Sequence, residues 1–66
     1  MTGSVKWFDG KKGYGFITND EDGKEYFVHF SGIESDGFKA LKEKDQVEFT
    51  LASDRKGEQA VNVRVI

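Results

Sequence analysis

The sequence predicts an all-β fold, a small closed barrel of five short strands. Three observations point there. Hydrophobic residues recur at every second position over short runs, which is the period of a strand with one buried face. The chain has eight glycines and no proline, and the glycines cluster between those runs, so glycine makes the turns. No stretch keeps a helical period. Five short strands in so small a chain are best closed into a barrel, because closure removes exposed sheet edges.

The elements follow in order. Ser4–Asp9, with Val5, Trp7 and Phe8, reads as a first strand, and Gly10–Gly13 as a turn carrying Lys11 and Lys12. Tyr14–Asn19 is the second strand, and Asp20–Lys24 is a loop in which Gly23 supplies a positive φ. Glu25–Phe30 is the third. Ser31–Lys44 is irregular, with Gly32, Gly37, mixed charges and room for one 3₁₀ turn near Ser31–Glu34. Gln46–Ala52 sets Val47, Phe49 and Leu51 against Glu48 and Thr50. A hairpin loop at Asp54–Gly57 returns the chain into Gln59–Ile66, where Val61, Val63 and Val65 alternate with Asn62 and Arg64.

A chain of 66 residues is expected to be one domain over 1–66, and at this size only about 60% of the unfolded surface is buried, so stability is marginal. There is no cysteine to staple the fold, and His29 is the sole histidine, which excludes a Cys/His zinc site; the carboxylates lack the spacing of a metal cluster. No cofactor is expected. The lack of cysteine suits a reducing cytoplasm, the expected location. No apolar run approaches the roughly 18 residues of a membrane span, and Met1–Ser4 has no apolar signal-like stretch. The formal net charge is −2, which argues mildly against a partner as acidic as nucleic acid. The distribution argues the other way. Lys6, Lys11 and Lys12 crowd the first strand and turn with only Asp9 opposing them, while Asp20, Glu21, Asp22 and Glu25 gather further on. Aromatic residues make up 14% of the chain, too many for disorder as the default.

The second and third strands carry the functional argument. Alternate residues point to opposite faces, so Tyr14 and Phe16 share one face and Gly15 and Ile17 the other. In the third strand Phe27 and His29 share one face, and Tyr26, Val28 and Phe30 the other. A lone histidine is cheaper in water than in an apolar core, and Gly15, Ile17 and Val28 suit a cramped interior. Tyr14, Phe16, Phe27 and His29 therefore point outward. A single aromatic in a strand is usually core; four rings on two neighbouring strands, with lysines upstream, are better explained as a binding surface. Flat rings with cations beside them are what single-stranded nucleic acid needs, since bases stack on the rings and lysines meet phosphates.

At these residues the chain resembles the cold-shock domain family. Lys12-Gly13-Tyr14-Gly15-Phe16-Ile17 is similar to that family's first ribonucleoprotein motif, and Phe27-Val28-His29-Phe30 to its second. Val5-Lys6-Trp7-Phe8, Gly37-Phe38-Lys39 and the Gln59-Ala60…Asn62-Val63 ending match as well, so the resemblance covers essentially the whole chain. An RRM domain shares the first motif, but it places the second before the first and needs two helices and a longer chain. The resemblance implies a five-stranded antiparallel OB-fold Greek-key barrel. It implies a nucleic-acid chaperone that binds single-stranded, pyrimidine-rich RNA and DNA, prevents or melts RNA secondary structure, and so influences transcription termination and translation during cold adaptation. By motif match, Trp7, Phe16, Phe27, His29, Phe30 and Phe38 take stacking roles, with Tyr14 standing in for a commoner Phe. Lys6 and Lys12 take phosphate or base-edge roles, Phe8 a mixed core and ligand role, and Arg55 a place in the last hairpin loop. Asp9 stands where Asn is common and is expected to repel phosphate; Lys11, often acidic in the family, offsets it. Glu25 and Tyr26 replace the usual Asp and aliphatic residue, and Glu58 a frequent Pro.

Two other classes fit less well. An SH3-like module gripping a Pro-rich peptide would set acidic residues beside its aromatic groove, and here the near neighbours in sequence are mostly lysines. An enzyme could use His29 as a base, but no Ser or Cys nucleophile is placed by a motif and no loop cradles phosphate. Gly13-x-Gly15 is too short for a dinucleotide fingerprint and lies between strands. A monomer is the expected state.

Overall fold

Five β-strands wind into a closed barrel in the order β1-β2-β3-β5-β4, with β4 pairing back onto β1, in a computed structural model that describes residues 1–34, 41–54 and 57–66. The strands are β1 (Thr2–Asp9), β2 (Tyr14–Asn19), β3 (Glu25–His29), β4 (Gln46–Asp54) and β5 (Gly57–Val65). A single 3₁₀ turn, Phe30–Gly32, follows β3. This is the all-β barrel that the alternation predicts, with one refinement. Four seams are antiparallel, but β3 and β5 run parallel over the short seam Phe27↔Gln59 and Val28↔Ala60. An odd ring of strands cannot alternate direction all the way round, so one seam must be parallel.

Each strand sends its small or branched residues inward. Val5, Ile17, Val28, Val47, Phe49, Ala60 and Val63 are buried, Ile33 and Leu41 join them from the connections, and Phe8, Tyr26 and Leu51 pack against the cluster. Pairing registers stack one layer of it in sequence: Phe8 opposite Gly15, Gly15 opposite Val28, Val28 beside Ala60, Ala60 opposite Leu51. Large and small alternate around the ring, as a narrow barrel requires. A Cβ on Gly15 would run into the Trp7 carbonyl oxygen and the Phe8 ring, so this layer has no room for one.

Three details depart from the strand-by-strand reading. Phe30 does not share the inner face of Tyr26 and Val28. The chain leaves β3 after His29 and enters the 3₁₀ turn, and Phe30 stays 45% exposed. In β5 the alternation breaks at Asn62, whose φ of 53° shifts the pairing with β4. Ala60 and Val63 are then the buried pair, and Val65 is exposed at the barrel's end. Asn is one of the few residues that tolerates this left-handed conformation, and its side-chain amide donates to Thr50 Oγ1 at 3.2 Å. The third detail is a bulge in β1, described below. On the outer side of β4 and β5, Arg64 pairs with Glu48. The hydrogen bond and positive charge of Arg64 hold the Glu48 carboxyl below its ordinary value, and Arg64 is held above its own.

The charged segments sit at opposite ends of β2. Lys11 and Lys12 occupy the turn before Tyr14, and Asp20, Glu21 and Asp22 the loop after Asn19. That loop is folded by its own side chains: Asp22 Oδ1 accepts from Lys24 N, Asn19 Oδ1 accepts from Glu21 N, and Gly23 supplies a φ of 72°. Five residue steps at about 3.4 Å separate the two ends by roughly 17 Å, beyond a physiological Debye length of about 8 Å.

Candidate nucleic-acid interface

The candidate surface is the outer face of β1, β2 and β3, and its first device is the bulge. Val5 pairs with Ile17 and Trp7 with Phe16, so two steps on β1 match one on β2, and Lys6 is the extra residue. Plain alternation would aim Trp7 the same way as Val5, into the core. The bulge resets the phase, leaving Lys6 and Trp7 both exposed and Phe8 turned toward Gly15 and the core. The strand pairing then lays three rows across the sheet: Ser4–Thr18–Glu25, Trp7–Phe16–Phe27 and Asp9–Tyr14–His29.

The rings of these rows touch. Trp7 meets Phe16 at 5.5 Å and Tyr14 at 5.9 Å between centroids. Phe27 meets Tyr14 at 5.8 Å and Phe16 at 5.9 Å. Each of the four rings thus leans on two others, within the range of favourable aromatic contacts. Trp7 is 39% exposed, and Tyr14, Phe16 and Phe27 are half-buried with one side in the open. Together they form a continuous aromatic platform over the barrel wall.

His29 and Phe30 extend it at the Tyr14 end, with ring centroids 4.5 Å apart. Gly13 places Phe30: its carbonyl accepts from Phe30 N at 2.7 Å, and the ring lies against its Cα. A Cβ there would come within 2.7 Å of Phe30 Cδ1, and Gly13 has a φ of 79°. Gly13→Ala is therefore expected to cost about 1–2 kcal/mol of stability through the left-handed backbone alone, and to weaken single-strand binding by displacing Phe30. Gly10→Ala, at an open site with no such φ, is the control. Denaturant unfolding and binding of a short oligothymidine measure the two effects. Ser31 orients His29: the Ser31 N–H donates to Nδ1 at 3.3 Å, and Ser31 Oγ lies 2.9 Å from the same atom. An N–H can only donate, so Nδ1 is its acceptor, which leaves Nε2 as the ring nitrogen able to carry a proton.

The other expected site residues fall in different places. Asp9 is committed to the turn, its Oδ1 accepting from Lys11 N at 2.9 Å and Lys12 N at 3.1 Å. Lys11 and Lys12 are exposed on that turn, beside the Tyr14–His29 row. Lys6 is not a free cation: its Nζ lies 2.6 Å from Glu25 Oε2, the far end of the Ser4–Thr18–Glu25 row. Phe8 belongs with the core packing and does not join the platform. Phe38 and Arg55 lie outside the described residues. Sequence reasoning assigned no role to Ser31 and no partner to Glu25. The charge complement of positions 6 and 25 is legible, but pairing them requires knowing that β1 and β3 flank β2.

Among the described residues no group of three or more His, Cys, Asp or Glu is placed to hold a metal ion, and no helix is long and apolar enough to cross a membrane. What the surface offers is a set of open ring faces, the His29 imidazole, and cations at one end.

Comparison with known proteins gives a consistent result. Residues 1–66 match the family described as the "'Cold-shock' DNA-binding domain". The chain is 59% identical over 66 residues to a cold shock-like protein of Thermotoga maritima, covering all of this chain and 98% of that one. It is 55% identical to cold shock protein CapB of Pseudomonas syringae, covering all of this chain and 94% of the relative. Cold shock protein CspV of Vibrio cholerae is 54% identical over 63 residues, which is 96% of this chain and 90% of CspV.

Proposed function

Because the chain belongs to the cold-shock domain family of nucleic-acid-binding proteins, we propose that its aromatic platform binds single-stranded RNA and DNA by stacking and keeps the strand from pairing. The observation that carries this reading is the mutual contact of Trp7, Tyr14, Phe16 and Phe27 on an outer sheet face. Open ring faces accept unpaired bases at about 1–3 kcal/mol each by alanine substitution. A duplex has its bases already stacked on one another and offers the rings nothing. Capturing the unpaired state shifts RNA hairpins toward melting by mass action, because a ligand of one state alone moves the equilibrium. That is a chaperone's action, and control of transcription termination and translation follows from it wherever a hairpin is the signal. Pyrimidine-rich strands suit the surface best, since small bases stack weakly on each other and give up little on transfer to a ring.

His29 presents Nε2–H as a donor to a base edge or sugar, next to Phe30. Lys11 and Lys12 meet phosphates at the turn end. Few phosphates are engaged, so the salt dependence is shallow, with a slope on the order of −1 to −2 at about −0.7 per neutralised phosphate. On this reading the surface binds and does not catalyse, since its open rings suit stacking better than proton transfer. The protein acts as a cytoplasmic monomer on this reading.

The test uses the single tryptophan of the chain, Trp7. Adding a short oligothymidine is expected to quench its fluorescence with a site of a few nucleotides, within the roughly 4–16 of related barrels. Duplex of the same length is expected to bind far more weakly. Equal affinity for single strand and duplex overturns the stacking model.

A further inference from the structure

We propose that Glu25 is a latch on Lys6, holding its ammonium away from the phosphates, so that Lys6 contributes a phosphate contact only when Glu25 is neutralised. The proposal rests on the single-strand-binding reading above and adds a residue that tunes it. Lys6 is the bulge residue, outside the regular pairing of β1 with β2, and stands directly before Trp7. It is the cation nearest in the chain to the Trp7–Phe16–Phe27 row. Its ammonium does not stand free over that row. It reaches across β2 to β3, a span of two strand spacings or about 9.6 Å, and ends 2.6 Å from Glu25 Oε2. The side chain then lies along the border of the platform above the Ser4–Thr18–Glu25 row. The Lys6–Glu25 pair is one of two ion pairs among the described residues, and the other, Arg64–Glu48, is on β4 and β5, away from the platform.

A strand crossing this border meets a neutral pair. A phosphate must compete with a carboxylate that is already in place, and success would leave that carboxylate unpaired beside a polyanion. Lys6 and Glu25 are each about half exposed, with side chains at 50% and 46%. Exposed ion pairs are weak, so the latch is soft, with an effect of about two- to fivefold and not of orders of magnitude.

The experiment is a double-mutant cycle. Wild type, Glu25→Gln, Lys6→Met and the double variant are titrated with labelled oligothymidine by anisotropy over a salt series, with thermal unfolding confirming that each is folded. Glu21→Gln, which removes one negative charge from the β2–β3 loop, controls for net charge. Glu25→Gln is expected to bind about two- to fivefold tighter at low salt and to steepen the salt slope by about 0.7, one extra phosphate. Lys6→Met is expected to abolish the whole gain of Glu25→Gln, so that Lys6→Met and the double variant bind alike. If Lys6→Met weakens both backgrounds equally, or Glu25→Gln gains no more than Glu21→Gln, the latch is overturned while the binding reading stands. Failure of all the chains to bind oligothymidine overturns both.

Discussion

Phe16→Ala and Phe27→Ala are each expected to weaken oligothymidine binding by about 1–3 kcal/mol, roughly fivefold to over a hundredfold, while the domain stays folded. The two halves of this expectation have separate causes. The binding loss follows from the removal of an open ring face, and it is enlarged because each ring supports two others. Truncating Phe27 leaves Tyr14 and Phe16 each short of one contact at 5.8–5.9 Å. The double variant is accordingly expected to fall short of additivity, since its two sites share that contact. Folding survives because both rings lie on the outer wall, over a core filled by Ile17 and Val28 at 0% exposure. His29→Ala is expected to behave likewise, with a smaller stability change. Val28→Ala inverts the pattern, losing stability at little direct cost to binding. Chemical unfolding and anisotropy on the same preparations separate the two. A Phe27→Ala chain that unfolds, but whose folded fraction binds as wild type does, shows that the platform is core and not ligand surface.

How much of this was legible in the sequence depends on what fixed each feature. The faces of β2 and β3 were readable because alternation there is uninterrupted, so one choice about His29 orients both strands. The barrel was readable for a similar reason, with five alternating runs and glycines between them. Trp7 was not readable from alternation. Its outward aim comes from an extra residue at Lys6, and a bulge changes the phase without any marked change in composition. The same holds in β5, where a positive φ at Asn62 moves Val63 inward and leaves Val65 at the rim. Phe30 was misplaced by extending a strand one residue too far into the 3₁₀ turn. The resemblance nevertheless assigned Trp7 and Phe30 to the ligand surface, because a motif carries the outcome of such local irregularities without their cause.

Electrostatics were legible in outline, and the structure adds a detail at Asp9. A net charge of −2 is compatible with binding a polyanion because the acidic loop stands at the end of β2 remote from Lys11 and Lys12. Segregation runs along the strand, and not between two faces of the domain. Asp9 was expected to repel phosphate. Its Oδ1 also accepts from two backbone N–H groups of the turn that displays the lysines. An anion placed there orders two cations, which offsets the repulsion it exerts.

Phe49→Ala carries the largest expected effect on folding, and it ties stability to function. Phe49 is the largest fully buried side chain among the described residues, 1% exposed, with Tyr26 at 6.3 Å between centroids and Gly3 leaving it room on β1. Truncating a buried Phe costs about 3–5 kcal/mol in transfer and cavity terms. A chain of this length has roughly 3–10 kcal/mol of stability in total, at 0.05–0.15 per residue. A domain this small sits near the lower end of that range, so the variant is expected to be largely unfolded in buffer at room temperature, by circular dichroism and by loss of a cooperative melt. A ligand that binds only the folded state returns about 4 kcal/mol when present at a thousand times its dissociation constant. Excess oligothymidine is then expected to refold Phe49→Ala, with an apparent affinity lowered by the cost of folding. Phe27→Ala provides the mirror image, folded without ligand and stabilised by it about 1–3 kcal/mol less than wild type. If Phe49→Ala melts as wild type does, the core is not where these strands place it. If it stays unfolded yet binds oligothymidine with wild-type affinity, the binding surface does not require the closed barrel. The three rows that β1, β2 and β3 assemble would then not be the source of affinity.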